Sequence, residues 1–160
     1  MSEQPLSESG RIVGIDFGTV RIGVAISDPE RIIASPYENY QRRGEPADRR
    51  WFEQLARDER VARFVVGLPV HLDGRESAKS TEARAFGKWL HEVTGVDVVY
   101  FDERFTTREA ELLLAEAQLT KKKRKERLDK LAAQILLTAY LEKLRTGPHD
   151  RDEPPRGLDG

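Results

Sequence analysis

At 160 residues and a net charge of −1, the chain has the size of one domain, long enough to bury a core without metal or disulfide staples and too short for two large domains closing on a ligand. It has no cysteine, which excludes thiol nucleophiles, zinc ribbons, iron–sulfur clusters and disulfide frameworks, and its histidines, His71, His91 and His149, show no ligand spacing. Hydrophobic residues make up 38% and charged residues 34%, but the apolar residues fall in blocks, so a folded chain is expected and general disorder is not.

The opening MSEQPLSESG is polar and acidic and reads as a flexible leader over residues 1–10 rather than a signal peptide. RIVGIDFG (11–18) and RIGVAIS (21–27) read as two strands of a hairpin, and RIIASP (31–36) as a third strand ended by Pro36. A helix is predicted from about Pro46 to Arg60, with Trp51, Phe52, Leu55 and Ala56 at helical spacing. RFVVGLP (63–69) is a buried strand, and 76–93 a helix with Ala83, Phe86, Leu90 and Val93 on one side. VDVVYFDE (96–103) is a further strand. Thr106 and Glu109 form a capping box that opens a short helix through Ala117. The last helix spans about 121–144, carrying Leu128, Leu131, Ala132, Ile135 and Ala139 as its apolar stripe; a Pro/Gly/acid tail over 145–160 is expected to be disordered. Three antiparallel strands followed by βαβ crossovers make an α/β fold: a mixed five-stranded sheet in a single domain with helices on both faces, the layout of a ribonuclease H-like fold. No apolar run reaches the roughly 18 residues of a membrane span, so a cytoplasmic protein without a membrane partner is expected.

Three carboxylates stand out. Alternation puts Ile12, Gly14 and Asp16 on one face of the first strand and Val13, Ile15 and Phe17 on the other, and a carboxylate in so apolar a strand is costly unless paired or bound to a cation. The small residues Gly14, Gly23 and Ala25 suggest a face stripped of bulk for a substrate backbone. Asp102 and Glu103 end a strand where ligand crevices form, and alternation points them to opposite faces, so only one serves a given site; a salt bridge to Arg104 is the competing use. Asp129 lies beside the apolar stripe of the last helix, where pairing with Lys125 is the ordinary alternative. Oxygen ligands without His or Cys suit Mg²⁺ or Mn²⁺, and two such ions roughly 4 Å apart would activate a water and stabilise a leaving oxygen in phosphodiester hydrolysis. Residues 120–130, TKKKRKERLDK, hold seven Lys or Arg against two acids, a local net of +5 that leaves −6 for the rest of the chain. Helical geometry puts Lys121, Lys125 and Asp129 on one i, i+4 row, so Lys121 and Lys125 are the expected substrate-binding contacts to phosphate.

RIVGIDFGTVRIGVAISDP, VVGLP and DERFTTREAELLLAEAQLTKKKRKERLDKLAAQILL, taken together, resemble the three signature blocks of the YqgF/RuvX family of bacterial ribonuclease H-like proteins, over roughly residues 11–144. The resemblance implies a metal-dependent nuclease, acting on the 5′ end of pre-16S rRNA in ribosome biogenesis or on branched DNA as a Holliday-junction resolvase. It also implies that Asp16, Glu103 and Asp129 are the catalytic acids and ligands of two Mg²⁺ or Mn²⁺ ions. The sequence departs from the family pattern at Val20, where Lys is usual, which removes one candidate phosphate contact, and at His71, where Asn is usual and which reads as a solvated loop histidine; the acids are intact. Two other readings compete. GIDFGT also resembles the first phosphate loop of the actin and sugar-kinase superfamily, but that loop needs a second domain to clamp ATP. A non-catalytic nucleic-acid-binding factor would use the basic helix alone, and the presence of all three acids counts against it.

Overall fold

The computed structural model describes residues 5–69, 74–106 and 121–146, with no side-chain description at 105–106 and 121–130. Its elements are β1(Arg11–Asp16), β2(Arg21–Ser27), β3(Ala34–Gln41), α1(Glu45–Asp58), β4(Val61–Leu68), α2(Ala78–Thr94), β5(Asp97–Asp102), a single 3-10 turn (Glu103–Thr106) and α3(Lys121–Thr146). The sheet order is β3-β2-β1-β4-β5, antiparallel across the first three strands and parallel from β1 to β4 to β5. Helices cover both faces, as the strand order implies.

The alternation along β1 is realised. Val13 and Ile15 join Val24, Val66, Phe52, Leu55, Phe86 and Leu90 in the core beneath α1 and α2. Ile12 joins Ala25, Val65, Ala133, Leu137 and Leu141 in the core beneath α3. Asp16 therefore ends β1 on the α3 face, and Phe17 turns the other way onto Phe86, ring centroids 4.8 Å apart. Just before β1, Leu6 packs against the α3-side core, and Arg31 donates to the carbonyls of Ser7 and Gly10, which ties the described part of the leader to the sheet.

Two local expectations are corrected. Pro36 does not end the third strand; it lies inside β3, opposite Ala25, where the register shifts. An edge strand tolerates a missing N–H at an irregularity, and β3 is an edge. The bareness of Gly14 serves packing rather than a substrate: a Cβ there would lie 2.9 Å from Leu137 Cβ and 3.0 Å from the Ala133 carbonyl oxygen, so glycine lets α3 settle onto β1. The helix through Ala117, His71 and the tail beyond Thr146 lie outside the described residues, and α3 runs two residues past the expected Leu144.

One buried charge was not legible as such. Asp48, in the first turn of α1, is 1% exposed. Its Oδ1 accepts from Tyr40 Oη at 2.6 Å and from the Arg43 backbone N–H at 3.0 Å, and Arg42 Nε reaches its Oδ2 at 3.4 Å. Burial alone would raise this carboxyl, but those donors outweigh it and hold it below the usual carboxylate range. The carboxylate thus clamps the end of β3 to α1. A carboxyl depressed by folding stabilises the fold above its unfolded pKa of about 3.9, and that contribution is lost as the pH falls through the lower folded value. Asp48→Asn is expected to cost about 2 kcal/mol at pH 7 in urea unfolding, with the difference from wild type shrinking below about pH 4.

Candidate active site

The parallel half of the sheet gathers the C-terminal ends of β1, β4 and β5 at one edge, the position where open α/β sheets form crevices. A cleft of about 370 Å³ opens there, lined by Asp16, Phe17, Gly18 and Thr19 after β1, Gly67 and Pro69 at the end of β4, Lys79, Glu82 and Ala83 on α2, and Glu103 after β5. Asp16 and Glu103, 87 residues apart in sequence, thus share one cleft.

The neighbouring acids of the β5 end divide as alternation requires. Asp102 accepts from the Arg104 backbone N–H at 2.9 Å and from Arg104 Nε at 2.8 Å, and this pairing holds its carboxyl below the usual range. Glu103 instead lies over the backbone of Gly67, where a Cβ would come within 2.6 Å of Glu103 Oε1. The glycine of VVGLP leaves the space that this carboxylate fills. Burial, then the nearby charges of Asp16 and Asp102, push the Glu103 carboxyl up to about 7, with Lys79 opposing them. Two acids sharing a half-buried cleft repel each other, and a cation between them relieves that repulsion.

Asp129 lies on the α3 backbone one turn before Ala133, whose carbonyl covers Gly14. The side chains of Asp129, Lys121 and Lys125 lie outside the described residues. Among the described residues no group of three or more His, Cys, Asp or Glu is arranged to hold a metal. Sequence reading missed Lys79 and Glu82. The available signal was the Ser77 cap, whose side chain accepts from the Ser80 backbone N–H and donates to the Pro69 carbonyl, because it starts α2 at the cleft and puts Lys79 in its first turn.

Comparison with solved structures gives the fold. The chain shares its fold with Holliday-junction-type nucleases of the ribonuclease H-like group: Thermus thermophilus RuvC in complex with a Holliday junction superposes with a TM-score of 0.57 at 11% identity, covering 86% of this chain and 96% of RuvC. A second Thermus thermophilus RuvC structure gives 0.55 at 12% identity. The RuvX family model, described as Holliday junction resolvase, matches residues 10–143, and the chain belongs to that family. A Rhodopirellula baltica protein named "Putative pre-16S rRNA nuclease" is 48% identical over 144 residues, covering 90% of this chain and 83% of that protein. A Koribacter versatilis protein of the same name is 39% identical over 152 residues, covering 95% and 97%. Among the described residues no helix is long and apolar enough to cross a membrane.

Proposed function

We propose that the chain is a cytoplasmic, divalent-metal-dependent nuclease that hydrolyses phosphodiester bonds in the 5′ leader of pre-16S rRNA, with Asp16, Glu103 and Asp129 as its catalytic acids. The observation that carries the reading is the sharing of one cleft by Asp16 and Glu103, with Glu103 raised to about 7 by burial and by its neighbours. Such a pair gains from a bound cation, and an all-oxygen donor set in a chain without cysteine fits Mg²⁺ or Mn²⁺. When bound, a pair of these ions would supply a nucleophilic water and stabilise the leaving oxygen. The chain's own part is to hold the ions and to orient the phosphate. Asp16, at the end of β1, and Glu103, which lies over Gly67, line the same cleft and would hold the ions from two strand ends. Lys79, on α2 in the same cleft, would offer a cation to a phosphate oxygen. Asp129 would complete the set from α3.

The basic run at the start of α3 would hold the flanking backbone. Changing Lys121 and Lys125 together to Ala is expected to weaken RNA binding and flatten its salt dependence by a slope of about two, while Lys123→Ala does much less. Equal losses at all three positions would mean diffuse attraction.

The second reading is cleavage of branched DNA, favoured by the description of the matching family. Incubating the purified chain in Mg²⁺ or Mn²⁺ with a precursor 16S 5′ leader and, in parallel, a synthetic four-way junction separates the two. Cleavage of the leader, abolished by EDTA, is the expected result; cleavage of the junction alone would favour the second reading, and cleavage of neither would overturn both.

A further inference from the structure

A second groove, of about 290 Å³, meets the first at Asp16–Thr19 and runs the other way, across the hairpin toward the β3 edge. Strand register defines its floor: Asp16 pairs with Gly23, and Gly23 with Asn39, so the three form one row across β1, β2 and β3. Residues paired in this way share a face of the sheet. Gly23 carries no side chain and lines the groove, and the Asp16 and Asn39 positions stand about two strand spacings, roughly 10 Å, apart across it. Arg21, at the start of β2, lines the same groove. Val20 also lines it and is 62% exposed, and among the described lining residues Arg21 is the cationic one.

We propose that Arg21 and Asn39 form a substrate subsite for the nucleotide next to the scissile phosphate, Arg21 holding its phosphate and Asn39 its ribose 2′-hydroxyl. The inference rests on the nuclease reading for where the scissile phosphate lies. A carboxamide is both donor and acceptor, and so is a 2′-hydroxyl, which is the group that distinguishes RNA from DNA at a given position. The guanidinium fork matches phosphate oxygens. Among the described residues β3 is an edge strand, so a nucleic-acid strand would leave the groove past Asn39.

Fluorescence anisotropy in Ca²⁺ buffer, with the full chain and a labelled single-stranded RNA or the DNA of the same sequence, tests the subsite. Wild type is expected to bind the RNA about three- to tenfold more tightly, the worth of one or two net hydrogen bonds. Asn39→Val, a good strand former that removes the amide, is expected to erase that preference by weakening RNA alone; Asn39→Ser, which restores a donor and acceptor, should recover part of it. Arg21→Ala is expected to weaken both strands and lower the salt slope by about one. Equal affinity of wild type for RNA and DNA, or equal loss of both in Asn39→Val, would overturn the subsite. An RNA preference lost in Asn39→Val supports it even if Mg²⁺ elicits no cleavage of either strand, an outcome that fells the nuclease reading alone.

Discussion

Asp16→Asn is expected to reduce metal-dependent cleavage by at least about hundredfold while leaving the metal-free fold as stable as wild type or more so. Asn keeps the shape of the side chain and removes the charge that faces both the main cleft and the hairpin groove. That charge is one of the causes that push Glu103 up to about 7, so its removal relieves repulsion in the metal-free protein. Loss of activity together with an unchanged or raised melting temperature is therefore the signature of a ligand rather than of a structural residue. Activity at a tenth of wild type or above would place the chemistry at another centre.

Gly14→Val is expected to act in the opposite way, through the fold. A single added Cβ, 2.9 Å from Leu137 Cβ and 3.0 Å from the Ala133 carbonyl oxygen, already requires α3 to move, and two further methyl carbons require more. Overpacking against backbone costs about 3 kcal/mol, which for a chain of this size lowers the melting temperature by roughly 10 °C. Because Asp129 is on the same helix one turn earlier, cleavage should fall along with stability. A Gly14→Val protein that melted like wild type would mean that α3 does not rest on β1 through this contact.

The difference between these residues explains what could be read from the sequence. Hydrophobic alternation in RIVGIDFG assigned Asp16 and Gly14 to one face and Val13 and Ile15 to the other, because a strand facing two cores repeats every second residue. Periodicity also separated Asp102 from Glu103, although only the resemblance chose between them. What alternation cannot carry is the identity of the partner: Gly14 looked bare for a ligand and is bare for α3. Pro36 was misplaced because its tolerance depends on β3 being an edge, a property of the whole sheet order. Asp48 sits among charged residues in EPADRR and resembles a solvated first-turn acid; its burial depends on Tyr40 and Arg43 arriving from the strand before it. Asn39 acquires its relation to Asp16 only through two successive strand pairings.

The claim that Glu103 and Asp16 hold a catalytic cation together is tested most directly by calorimetric titration of Mn²⁺ into the wild-type chain and into Glu103→Gln. Wild type is expected to bind Mn²⁺ saturably, and Glu103→Gln to bind it at least about tenfold more weakly, because the side chain retains its size over Gly67 but loses its charge. Equal Mn²⁺ affinity and stoichiometry in the two proteins would contradict a shared carboxylate centre in this cleft.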